Sequence, residues 1–237
     1  MRSYAVVTPA YRPTEQFPGY IRQLIDAGVA EVIVVNDGSG PEFDSVFKAL
    51  SHLDRCTLLR HERNSGKGVA LKTAFRYFMK QDAGWKGLVT ADADGQHAVE
   101  DVLRTGDKLV ENEADFVLGM RTFEPREVPL RSMIGNTLTT NVFKWLFGYY
   151  IRDTQTGLRG IASDQVDWIL RLRGERYEYE INMLINIAKR RKRLLGVDIQ
   201  TIYHDRHISY YNTYKDSFKI IWQLMRGYVL PPHRTEV

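Results

Sequence analysis

Two aspartates one residue apart, Asp92 and Asp94, close the apolar run of "VTADADGQH" at residues 89–97. In an extended segment, residues i and i+2 point the same way, about 6.5–7 Å apart, so the two carboxylates can serve one ligand from one side. Gly95 lets the chain turn there and brings Gln96 and His97 toward the same space. Carboxylate and carboxamide oxygens suit a hard divalent cation such as Mg²⁺ or Mn²⁺, with phosphate oxygens and water completing the shell. Taken alone, an Asp-Ala-Asp is more often an Asx turn or a helix cap before Ala98 than a cation site.

The surrounding polar stretches sharpen that reading. "VVNDGS" places Asp37 after another apolar run, where a carboxylate can accept a hydrogen bond from a base N–H or a ribose hydroxyl. "NSGKG" flanks Lys67 with glycines that would let the backbone approach a ligand while the lysine offsets phosphate charge. The first loop, "TPAYRP", is not the G-x-G-x-x-G of a dinucleotide site. "NSGKGVA" lacks the first glycine and the hydroxyl of a phosphate-binding P-loop.

These residues need elements to hold them. Short β-branched runs ("YAVVTP", "EVIVVNDGSG", "CTLLR", "GLVTA", "DFVLG") alternate with helical patterns through the first half, the signature of a parallel sheet covered by helices. Thr14 is expected to cap a first helix with Phe17, Ile21, Leu24 and Ile25 on its buried stripe and Gly28 as its stop. Later helices carry Phe43, Val46, Phe47 and Leu50; Leu71, Ala74, Phe75 and Phe78; and Val99, Val102, Leu103 and Leu109. Ligands in such sheets bind beyond the carboxyl ends of the strands, where all the polar stretches above fall.

After Gly119 the pattern changes to a charged loop, an apolar helix from Met133, the polar loop "IRDTQTGLRGI", a helix through "YEYEINMLINIAKRRKR" and a late strand "GVDIQTIYH". A final amphipathic helix puts Phe218, Ile221, Trp222, Met225 and Tyr228 on one stripe, which suits either a membrane interface or the protein core. The basic run Lys189–Arg193 reads as a solvated helix end with Gly196 as its stop. His97, His204 and His207 match no common zinc spacing and read as polar edge and loop residues.

The chain has 237 residues, 43% of them hydrophobic, a single cysteine and a formal charge of +4. One substantial core, a reducing compartment and no disulfide framework are expected. No apolar run reaches the roughly 18 residues of a transmembrane helix and no signal-peptide core is seen, so a cytoplasmic protein is expected, without a nucleic-acid-binding motif.

The ordered stretches "VVTPAYRPTE", "VIVVNDGSG", "NSGKGVALKTAF", "VTADADGQH", "VLGMR", "DTQTGLRG" and "ERYEYEINML" resemble the motifs of family 2 glycosyltransferases with the GT-A fold, most of all the dolichyl-phosphate mannose synthase and bacterial polyprenyl-phosphate branch. The resemblance implies a single Rossmann-like α/β domain over 1–237. Residues 1–120 would be its nucleotide-sugar half, 121–212 its acceptor half and 213–237 an amphipathic C-terminal helix and tail. It implies that Pro9, Ala10, Tyr11, Glu15, Asp37, Lys67, Asp92, Ala93, Asp94 and Arg206 hold the nucleotide sugar, and that Asp92, Asp94 and Gln96 hold Mg²⁺ or Mn²⁺. Arg121, Arg131, Asp153, Gln155 and Thr156 would receive the acceptor, with Asp94, Arg121 and Arg131 acting in catalysis.

A lipid-phosphate acceptor needs cations alone, whereas a sugar hydroxyl needs a carboxylate base, for which Asp153, Glu178 and Glu180 are candidates. The implied reaction is inverting transfer from a UDP-sugar, or from GDP-mannose, to an undecaprenyl or dolichyl phosphate at the inner membrane face. Peripheral membrane contact, a membrane-protein partner or a homo-oligomer is compatible with it. A sugar nucleotidyltransferase or a non-catalytic binding protein is the rival class, but "TPAYRPTE" is not a triphosphate grip.

Overall fold

The computed structural model describes residues 1–121, 130–200 and 222–229, with side chains excepted for 130–138. The strands are β1 (Tyr4–Ala10), β2 (Glu31–Asp37), β3 (Cys56–His61), β4 (Gly87–Thr90), β5 (Phe116–Arg121), β6 (Arg159–Ala162) and β7 (Leu194–Ile199). Between them lie α1 (Phe17–Asp26), α2 (Asp44–Leu50), α3 (Lys67–Lys80), α4 (Val99–Glu111), α5 (Leu130–Phe147), α6 (Val166–Leu170) and α7 (Glu178–Lys189). Residues 222–229 form a further helix, α8.

The strands make one seven-stranded sheet in the order β3-β2-β1-β4-β6-β5-β7. All pairs are parallel except those of β6, which runs antiparallel to both β4 and β5. Successive side chains of a strand face opposite ways, and β1 shows it: Ala5 and Val7 join a core with Leu71, Phe75 and Leu184 from α3 and α7. Tyr4 and Val6 join a second core with Ile21, Phe47 and Val102 from α1, α2 and α4. The buried sheet therefore has helices on both faces, as the alternating pattern implied. The strand order reverses between β1 and β4, and the loop carrying Asp92 to His97 leaves the sheet at that point.

Four local expectations are corrected. Helix α1 begins at Phe17, with Pro18 in its first turn, and the Thr14 side chain does not cap it; the Thr14 carbonyl accepts the Phe17 N–H instead, at 3.1 Å. The polar loop after Ile151 ends in a strand, β6, too short and too rich in Arg and Gly to show a period. The late strand begins at Leu194, and its expected end at 201–204 lies outside the described residues. Helix α7 stops at Lys189: Arg191 takes a left-handed φ of 49° while Lys192 N–H bonds Ile187 O and Arg191 N–H bonds Ala188 O, a helix-ending turn with arginine in the usual glycine position. Gly196 instead lies within β7, where a Cβ would meet the Met120 side chain at 2.7 Å.

Candidate active site at the switch point of the sheet

The β4 exit loop is built around its own polar groups. Gly95 has a φ of 78°, and Asp94 Oδ1 accepts the Gln96 N–H at 3.0 Å, so the Asx turn exists and itself sets the spacing of the two carboxylates. Asp92 does not stand alone: Lys67 Nζ lies 2.7 Å from its Oδ1 and 2.9 Å from Glu180 Oε2. Burial opposes ionisation of Asp92, Lys67 and Asp94. At Asp92 the charge of Lys67 and the contact of His97 outweigh it and hold the carboxyl well below the usual range. At Lys67 the two carboxylates outweigh burial and hold the ammonium above its ordinary value. Asp94 is pushed up by burial and then by the charge of Asp92.

Lys67 opens α3, and the glycines beside it serve packing. A Cβ on Gly66 would meet Glu175 O at 2.4 Å and one on Gly68 would meet Tyr179 Cβ at 2.8 Å, so their close approach is to the start of α7, not to a ligand. Asp37 is likewise committed. Its Oδ1 accepts from His61 Nδ1 at 2.7 Å and Ser65 N–H at 2.9 Å, and its Oδ2 accepts Gly66 N–H at 2.8 Å. It braces the segment that delivers Lys67. At the end of β1, Ala10 is wholly buried, whereas in the loop beyond it Tyr11 is 45% exposed and Glu15 is exposed. Pro9 and Ala93 are partly buried beside them.

On the acceptor side, Arg121 at the end of β5 grips the fully buried Asp153 with Nε at 2.6 Å and Nη2 at 3.0 Å. Asp153 Oδ1 also accepts the Gln155 N–H, and Thr156 Oγ1 accepts the Leu158 N–H. Thr90 Oγ1 donates to Gly157 O at 2.7 Å, drawing this loop beneath Asp92. A Cβ on Gly157 would stand 2.3 Å from Asp92 Oδ2, so only glycine permits that approach.

The sequence had not singled out Arg159. This buried guanidinium donates through Nε to Thr156 O at 3.0 Å and through Nη1 to Glu180 O at 2.7 Å, joining the acceptor loop to α7. Its four-residue strand looked like loop, so no periodicity marked it. Glu178 does not join the crevice; its carboxylate accepts the N–H groups of Glu175 and Arg176 before α7. Burial would raise that carboxyl, but these bonds bring it below the usual value. Arg131 lies in the first turn of α5, its side chain outside the description, and Arg206 lies outside the described residues.

Asp92, Gln96, His97, Arg121, Gln155, Thr156, Gly157 and Ile199 line one small cavity of about 40 Å³. Of the residues singled out in the sequence, Asp92 and Gln96 from the first half and Arg121, Gln155 and Thr156 from the second thus face one space. No cluster of three or more His, Cys, Asp or Glu side chains suited to a metal occurs among the described residues. The oxygens of Asp94 and Gln96, with Asp92 adjacent, fit a hard cation that takes the rest of its shell from a diphosphate and water.

The chain is similar to known proteins in sequence and in fold. UDP-N-acetylglucosamine–dolichyl-phosphate N-acetylglucosaminyltransferase of Methanococcus voltae is 29% identical over 241 residues, covering 93% of this chain and 94% of that protein. Polyprenol monophosphomannose synthase of Mycolicibacterium smegmatis is 28% identical over 173 residues, 69% of this chain and 63% of its own. Glucosyl-3-phosphoglycerate synthase of Mycobacterium tuberculosis, solved with Mn²⁺, UDP and glucosyl-3-phosphoglycerate, shares the fold with a TM-score of 0.73 at 17% identity, over 98% of this chain and 82% of that one. The profile of "Glycosyl transferase family 2" matches residues 5–173, and the chain, with its GT-A fold, belongs to that family.

Proposed function

We propose that this protein transfers a hexose from a nucleotide sugar, UDP-linked by preference and GDP-linked as the alternative, to a polyprenyl phosphate at the cytoplasmic face of a membrane. The names of the two sequence relatives support a lipid-phosphate acceptor, and the first supports a UDP-sugar. The observation that carries the reading is the state of the candidate bases. Glu180 is tied to Lys67, Asp153 to Arg121, and Glu178 to two backbone N–H groups. A hydroxyl acceptor needs a carboxylate free to take its proton. A phosphate monoester is already anionic near neutral pH and needs cations to place it.

In the proposed reaction a phosphate oxygen of the lipid attacks the anomeric carbon in line, a new C–O bond forms, and the nucleoside diphosphate leaves with inversion. Pro9, Tyr11, Glu15, Asp37, Lys67 and Arg206 belong to the donor half of this reading, and Arg121, Arg131, Gln155 and Thr156 to the acceptor half. Asp153 engages Arg121 through Nε and Nη2 and fixes the guanidinium at the cavity wall before the acceptor arrives. Asp94 and Gln96, with Asp92, would hold Mg²⁺ or Mn²⁺, which supplies charge stabilisation to the leaving diphosphate.

The test is transfer of label from a panel of UDP- and GDP-sugars to undecaprenyl or dolichyl phosphate with Mg²⁺ or Mn²⁺, comparing wild type with Asp94→Asn. Lipid-linked product that falls at least about a hundredfold in the variant is expected. Donor hydrolysis with no lipid product would move the acceptor to a saccharide hydroxyl.

A further inference from the structure

We propose that His97 is a substrate contact, its imidazole N–H donating to a phosphate oxygen held in the cavity between Asp92–Gln96 and Arg121–Thr156. His97 is 6% exposed, and among the described residues neither of its ring nitrogens has a hydrogen-bond partner. Its charged neighbour Asp92 Oδ2 stands 3.5 Å from Nε2, at the limit of hydrogen-bond reach, while Lys67 holds the other carboxylate oxygen at 2.7 Å. A neutral imidazole always carries one N–H donor and one acceptor nitrogen. Leaving both unmade inside a protein is costly, and such groups call for an explanation.

The ring lines the cavity, so the missing partner belongs to what the cavity receives. Two of the other polar walls are committed within the fold. Thr156 Oγ1 accepts the Leu158 N–H, and Arg121 is aligned by Asp153. An imidazole N–H facing this space calls for an acceptor with exposed lone pairs, and a phosphate oxygen is such a group. The inference rests on the proposed reaction for its two phosphates, the diphosphate of the nucleotide and the monophosphate of the acceptor.

His97→Leu removes the donor in similar volume, and His97→Asn keeps an N–H. UDP affinity with Mg²⁺ is measured by calorimetry, the KM for a short-chain prenyl phosphate in the transfer assay, and melting temperature for each protein. The leucine variant should melt no lower than wild type, because it removes an unpaired buried donor. It should lose about ten- to hundredfold in one binding arm, with partial recovery in the asparagine variant. Loss in UDP affinity assigns the contact to the diphosphate; loss in acceptor KM alone assigns it to the acceptor phosphate. Both arms within twofold of wild type would overturn the proposal, as would equal losses in both variants accompanied by lowered melting, the mark of a purely structural ring. A wild type that binds UDP but transfers nothing to prenyl phosphate would sink the lipid reading while the calorimetric arm still judges His97.

Discussion

Lys67 stands between two carboxylates, and removing its charge would leave Asp92 and Glu180 facing the same desolvated space. Breaking a buried pair by deleting one partner costs about 3–5 kcal/mol. Lys67 keeps 17% exposure and Asp92 26%, which places the cost nearer about 2–3 kcal/mol after screening. For a chain of this size that lowers the melting temperature by about 5–10 °C. Lys67→Met should show that drop in a thermal melt without metal or nucleotide, and a shift under 2 °C would mean the carboxylates find other partners. Such a pairing could not be read from the chain: Asp92, Lys67 and Glu180 lie far apart in sequence, and each taken singly had a different role. Asp37 makes the same point. Its type and strand-end position were legible, but three donors from residues 61–66 already hold it, and nothing in "VVNDGS" announces them.

Among the elements, those with long periodic faces were legible and the short irregular ones were not. The stripes of α1, α3 and α4 could be named residue by residue because 10–14 residues repeat an apolar spacing. Strand β6 has four residues, one a buried arginine and one a glycine, so its burial depends on partners in β4 and β5 that no local pattern encodes. The loop before it carries Gln155, Thr156 and Gly157 of the cavity wall. Gly157 shows why loop and Asp-Ala-Asp turn must be considered as one unit: a Cβ there would meet Asp92 Oδ2 at 2.3 Å and Cγ at 2.7 Å. The carboxylate is the end of a movable side chain, so Gly157→Ala should fold, melting within a few degrees of wild type. Asp92 would have to leave Lys67, however, and misplacement on the order of 1 Å in a site of this kind costs about a hundredfold in rate. Steady-state transfer at saturating donor would report it; activity within threefold of wild type would show that the loop yields instead of the carboxylate.

Across the whole molecule, the apolar surface is uneven, and its distribution bears on how a lipid-borne phosphate could reach a cavity at the end of a sheet. No helix among the described residues is long and apolar enough to cross a membrane. Yet Trp145 and Val229 are 83% and 82% exposed, and Tyr150, Trp222 and Met225 are exposed beside cations such as Lys144 and Arg226. In α8 the two readings of the terminal stripe divide between faces. Leu224 is fully buried and Tyr228 meets the Phe147 ring at 5.9 Å, docking the helix on α5, while Trp222, Met225 and Val229 share an outward face; Phe218 and Ile221 lie outside the described residues. Tryptophan and tyrosine favour the bilayer boundary, and neighbouring Lys and Arg favour anionic headgroups. On the proposed function this face rests on the bilayer, so that the acceptor need lift only its phosphate into the cavity while its chain stays in lipid. Replacing Trp145, Trp222 and Val229 together by serine should reduce co-sedimentation with phosphatidylglycerol-containing vesicles by about tenfold or more, since each side chain contributes about 1.5–3 kcal/mol when fully buried. Transfer to a short-chain acceptor in solution should be unchanged. A wild type that stays in the supernatant, or a triple variant that sediments equally well, would mean that the lipid is delivered to the cavity by another route.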